Sequence, residues 1–158
     1  MKAVIQRLRA EVQSDRAAWA ARVEELRGVS LDSSDAGTLA RVAVALHHGY
    51  GAVEDALERI ARTIEGSVPV GRDWHVALLE SMSLDIEGVR PRVLSRESLV
   101  LLRGLLAFRH FFRHAYATTF EPVRLESLRT EMLALSAPLA EDLDRFDAYL
   151  ARVASSPD

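Results

Sequence analysis

The chain contains no cysteine, so disulfides, thiol nucleophiles and cysteine-based zinc sites are excluded. Lys2 is the only lysine, which rules out a phosphate-loop lysine or a Schiff-base lysine inside the fold. No apolar run approaches the ~20 residues that span a bilayer. The opening Met1-Lys2-Ala3-Val4-Ile5-Gln6-Arg7 becomes charged too early for a signal peptide. The expected location is therefore the cytoplasm, without a membrane partner. No stretch alternates with period two for long enough to be a strand, and internal repeats are missing. Gly49-Tyr50-Gly51 begins like a dinucleotide fingerprint but lacks the third glycine and a preceding strand. What is present is an ordinary globular mixture of 158 residues, 49% hydrophobic and 27% charged. That is enough for one domain with a real core. The expected domain covers residues 1–154, with a frayed tail at 155–158.

The apolar residues recur at helical steps nearly throughout. Ile5, Leu8, Val12, Trp19, Val23 and Leu26 form one seam, stopped at Gly28. Leu39, Val42, Leu46, Val53, Leu57, Ile60 and Ile64 form a second, with Ser33-Ser34-Asp35 as its N-cap region and Gly66 as its end. Asp73 is placed to cap a short helix to about Met82. A loop with Gly88 and Pro91 leads to Ser95, which opens a helix reaching about Tyr116. Pro122 can start the last helix, with the seam Leu125, Leu128, Met132, Leu135, Leu139, Leu143, Phe146 and Leu150, and Pro138 as a candidate kink. Four long amphipathic helices plus a short one predict an all-α fold, an antiparallel helical bundle.

The net charge of −3 argues against a general nucleic-acid binder, but its distribution is uneven. Residues 90–120 hold Arg90, Arg92, Arg96, Arg103, Arg109 and Arg113 against Glu97 alone, while the flanking segments are acidic. Such a patch can attract a phosphate backbone on an acidic protein. It can equally be a solvated helix face paired with acids of neighbouring helices.

Within that basic segment Arg109, His114 and Tyr116 form the pattern R-x4-H-x-Y. An Arg followed by His at four to seven residues also occurs from Arg41 to His47 and from Arg103 to His110, so the pair alone says little. Adding the tyrosine lowers the expected chance count to roughly 0.01 for this composition. On a helical wheel with Arg109 at zero, Tyr116 falls near about −20°, Arg113 near 40°, His110 near 100° and His114 near 140°. Phe108, Phe111, Phe112 and Ala115 occupy the other arc. Leu101, Leu105, Phe108 and Phe112 should pack into the bundle. A second row, Leu99, Leu102 and Leu106, should be covered by the bundle or by another copy, and continues as Arg109, Arg113 and Tyr116.

A cleft walled by these groups suits RNA cleavage without a metal or a cofactor. His114 can take a proton from a ribose 2′-OH at neutral pH. Arg109 can stabilise charge developing on the phosphate, and His110 and Arg113 can position the strand. Simpler readings stand beside this one. A lone arginine is usually surface solvation, and a lone histidine is often structural. His110 and His114 at i and i+4 could bind zinc, with Asp73 or His75 as further ligands, although spacing supplies no evident third ligand. Asp73-Trp74-His75 is equally explained by a capping Asp and a packed Trp. His47-His48 reads as a partly exposed helical pair. Glu54, Asp55 and Glu58 read as an acidic solvated face or as partners of the arginine cluster.

An all-helical bundle of this size, with R-x4-H-x-Y near the end of its penultimate long helix, resembles the HEPN ribonucleases. It is most similar to the HepT-like toxins of bacterial HepT–MntA type VII toxin–antitoxin pairs. Gly71-Arg72-Asp73-Trp74-His75, Gly88-Val89-Arg90-Pro91 and Phe108-Arg109-His110-Phe111-Phe112-Arg113-His114-Ala115-Tyr116 look like one HepT-like subgroup. The resemblance implies a homodimer or higher homo-oligomer with two motif helices facing each other across an RNase cleft. It implies Arg109 and His114 as the catalytic pair and RNA as substrate. It implies that an MntA-like nucleotidyltransferase antitoxin attaches AMP to Tyr116. His110 departs from the polar residue, such as Asn, that often follows the Arg. Because some HEPN-like proteins are inactive, a non-catalytic partner subunit of a minimal nucleotidyltransferase is the alternative.

Overall fold

The computed structural model describes residues 1–31, 35–114 and 120–156, with residues 113 and 114 described by backbone alone. Among the described residues there are five α-helices: α1 Lys2–Arg27, α2 Ala36–Ile60, α3 Trp74–Met82, α4 Arg96–His114 and α5 Pro122–Ser155. The fold is an all-α helical bundle.

Each helix forms where the apolar period demands it. The buried residues of α1 are Ile5, Leu8, Val12, Trp19, Val23 and Leu26, the seam expected from spacing. Asp35 caps α2 by accepting from the Thr38 amide at 2.8 Å. The last turn of α2 widens into a π-helical turn, Ala61–Glu65, and Gly66 ends it at φ 74°, where a side chain would be strained. The expected side-chain cap on α3 is absent: Asp73 holds the N-cap position but makes no capping bond. Ser95 caps α4 by accepting from the Ser98 amide, and its own amide and hydroxyl donate to the buried Asp142 of α5. Pro122 occupies the first turn of α5, which runs through Pro138 to Ser155.

Ion pairs fix the mutual directions. Arg9 near the start of α1 pairs with Asp147 near the end of α5, and Arg129 near the start of α5 donates to the Leu26 carbonyl at the end of α1. Arg59 near the end of α2 pairs with Asp15 and Glu11 of α1. These neighbours are therefore antiparallel. α4 lies against α5 and α2, and α3 rests on α4 and α2. Burying one core leucine such as Leu102 or Leu128 contributes about 1.5–3 kcal/mol, whereas the exposed ion pairs contribute about 0–1 kcal/mol each.

The α3–α4 connection is fastened from inside. Ile86 and Arg90 form an isolated antiparallel bridge around Gly88, which has φ 74°. The Arg90 side chain is fully buried, binds Glu65 at 2.6 Å and donates to the carbonyls of Ser81, Leu84 and Pro91. The Gly88-Val89-Arg90-Pro91 signature is thus a structural clasp. Among the described residues no helix is long and apolar enough to cross a membrane.

Candidate active site

α2 presents Tyr50 and Glu54 one turn apart on its inner face. α3 brings His75 in its first turn, and α4 brings Arg109 four turns along. The three polar groups close a ring. Arg109 Nη2 lies 2.9 Å from Glu54 Oε1, Glu54 Oε2 lies 2.6 Å from His75 Nδ1, and Arg109 Nη1 lies 3.3 Å from His75 Nε2. Glu54, His75 and Arg109 side chains are 4%, 9% and 14% exposed. A buried carboxylate requires a cation, and a buried guanidinium an anion, because either alone loses its hydration without return.

Aromatic rings frame the cluster. The Arg109 guanidinium carbon stands 5.8 Å from the Tyr50 ring centre, within cation–π range. The Trp74 and His75 rings lie 3.7 Å apart, which braces the imidazole. Burial pushes the Tyr50 phenol well above its ordinary range; the Glu54 carboxylate adds to that shift and Arg109 opposes it. Arg109 Nε is buried and makes no hydrogen bond among the described residues.

Beside the ring a groove of about 400 Å³ opens between α3 and α4. Arg72, Asp73, His75, Arg103 and His110 supply its polar wall, and Val76, Leu106 and Ala107 its apolar floor. Arg103 also pairs with Glu80. His110 is exposed there, one residue beyond Arg109.

Several expectations change at this point. Arg109 turns inward, because Glu54 interrupts the apolar face of α2 and demands a cation. Of the row Leu99, Leu102 and Leu106, the bundle itself buries Leu102, at 0% exposed, and Leu106, at 7%, one of the two covers expected, while Leu99 is half-buried. Phe111, which falls on the apolar arc, is 50% exposed, as Val100 is exposed nearer the start of α4, whereas Gly104 between them lies against the Glu131 side chain of α5. Phe111 lines a second groove with Phe108, Phe120, Arg124 and Leu125. His47 and His48 are the partly exposed pair expected, with His47 stacked on Phe112 at 4.7 Å. The Arg113 and His114 side chains and all of Tyr116 lie outside the described residues. Among the described residues no group of three His, Asp or Glu side chains could hold a metal ion.

Glu54 and His75 carry as much of this site as the motif arginine does. Their signal was present in the sequence: Glu54 falls four residues after Tyr50 and three before Leu57, an acid inside an apolar seam. His75 was visible only as part of an ambiguous tripeptide.

The all-helical bundle, with the motif arginine Arg109 near the end of α4, is that of a HEPN-type protein. The family model described as HepT-like protein matches residues 41–150, from the first turns of α2 to near the end of α5. The chain belongs to the HepT-like family. Comparison with curated proteins and with solved structures returns no match.

Proposed function

We propose that this protein is a metal-independent endoribonuclease toxin of a type VII toxin–antitoxin pair, restrained by an MntA-like nucleotidyltransferase. The observation that carries the reading is Arg109, held on Glu54 and His75 beside the basic α3–α4 groove, on the helix that bears the motif. Family membership supports the same assignment.

In the proposed reaction His114 takes the proton of a ribose 2′-OH. The freed oxygen attacks its own phosphorus, the bond to the 5′-oxygen breaks, and the leaving oxygen takes up a proton. A 2′,3′-cyclic phosphate and a 5′-hydroxyl result. Arg109 supplies charge and directed donors to the phosphate oxygens. Arg72, Arg103, His110 and Arg113 draw in and position the strand. Tyr116 follows His114 by two residues. AMP attached to it adds an anion near these cations, competing with RNA for the same charge.

In this reading a homodimer covers the exposed apolar side chains of α4, Val100 and Phe111.

Purified protein should cleave RNA in EDTA and leave cyclic phosphate ends, and His114→Ala should abolish cleavage. Retained cleavage in that variant would remove His114 from the mechanism. The alternative, a non-catalytic partner subunit, is favoured by one observation: Glu54 already neutralises Arg109. It predicts a stable complex with the nucleotidyltransferase, no RNA cleavage and no growth arrest on expression alone.

A further inference from the structure

His75 stands outside the motif, yet it touches both halves of the Arg109–Glu54 pair and forms part of the groove wall. The chemistry of its partners fixes its form. Arg109 has only donors and ionised Glu54 has only acceptors. Nε2 therefore accepts from Arg109, and Nδ1 carries the hydrogen that donates to Glu54. An imidazolium would bring an N–H of Nε2 against the Arg109 guanidinium.

We propose that His75 is a positioning residue that, as the neutral Nδ1–H tautomer, bridges Glu54 to Arg109 and sets the direction in which the guanidinium meets a phosphate. Glu54 alone provides charge but leaves Arg109 free to pivot on a single ion pair. The second acceptor, at Nε2, fixes two of the three guanidinium nitrogens. Trp74 holds the imidazole plane from behind, at 3.7 Å between ring centres. The consequence for catalysis rests on the ribonuclease reading above; the seating of Arg109 does not.

The test separates the two. Nitrogen-15 spectra of the full-length protein at neutral pH should show His75 protonated at Nδ1 and bare at Nε2. The Arg109 Nη1 hydrogens, which meet His75 Nε2, should be protected from exchange in wild type and lose that protection in His75→Phe, which keeps a ring against Trp74 but removes both nitrogens. His75→Gln, whose carbonyl can reach the Nε2 position, should restore part of that protection. In cleavage assays His75→Phe should lower kcat by about 100-fold, as for a displaced catalytic group, with KM for RNA little changed, and His75→Gln should recover part of the loss. A hydrogen on Nε2 in the wild type overturns the proposal, and that measurement needs no variant. So does an unchanged Arg109 signal in folded His75→Phe. If the wild type cleaves no RNA while the nitrogen signals behave as stated, the ribonuclease reading falls and the positioning role stands.

Discussion

Arg90 and Arg109 are both buried arginines paired with a glutamate, and they are used in opposite ways. Arg90 is fully enclosed, and all three of its nitrogens have partners: Glu65, Ser81, Leu84 and Pro91, mostly through backbone carbonyls. Arg109 keeps 14% of its side chain exposed, is held by two side chains, and has an Nε with no partner among the described residues. Backbone carbonyls of a loop have few other donors, so an arginine that satisfies them cannot leave without opening the loop. Side-chain partners can be exchanged for a ligand. An arginine saturated by main chain is a fastener; one held by side chains beside a groove has partners that can yield to a visitor.

The difference can be broken first at Arg90. Arg90→Met should cost about 3–5 kcal/mol, because Glu65 and the carbonyls lose their partner inside the protein. Against a total of about 5–15 kcal/mol this is severe. Urea denaturation would show it as a lowered midpoint, and Arg90→Lys should recover little, since one ammonium cannot reproduce the fork. A loss below about 1 kcal/mol would place Arg90 among ordinary surface residues.

Arg109→Met should cost less, about 3 kcal/mol, because the buried Glu54 carboxylate is left without its cation while the groove admits some water. Removing both charges in Arg109→Met/Glu54→Leu should recover part of that loss. Recovery stays partial because His75 Nδ1 then loses its acceptor. Additive single-variant losses in the double-mutant cycle would mean that the pair is not coupled.

The helices were legible because their apolar residues keep one period over many turns, as the seams of α1 and α5 illustrate. Local capping was legible where side chain and amide are close in sequence, as at Asp35, and failed at Asp73, whose side chain makes no such bond. The inward turn of Arg109 was not legible from α4. A wheel orders residues around one axis but does not say which neighbour covers which arc. That depended on Glu54 and His75, 55 and 34 positions away in sequence. The motif identified the arginine; only the packing of three helices identified what holds it. Exposed Phe111 is the same lesson reversed, since its place on the apolar arc does not say whether a neighbour covers it.

The smallest effect sharpens the comparison at its base, under the Arg109 guanidinium. Burial first, and then the Glu54 carboxylate, raise the pKa of the Tyr50 phenol above its ordinary 10.0. An unfolded chain releases that proton as the pH passes about 10, while the folded chain retains it. The folded state thus binds more protons there, and stability falls as pH rises beyond about 10, by up to about 1.4 kcal/mol per pH unit from this one group. Below that pH the term is fully present and does not vary. Tyr50→Phe keeps the ring beneath Arg109 and has no proton to release, so its stability should decline less steeply. Urea midpoints of the two proteins should therefore converge between about pH 9 and pH 11 if the phenylalanine variant starts lower, and parallel curves would mean that Tyr50 ionises as freely in the folded protein as in water. Nothing comparable is expected around Arg90, where the partners are carbonyls, a serine hydroxyl and one glutamate. An alkaline difference confined to the Arg109 side would show that this site, unlike the clasp, includes a group that changes protonation at high pH.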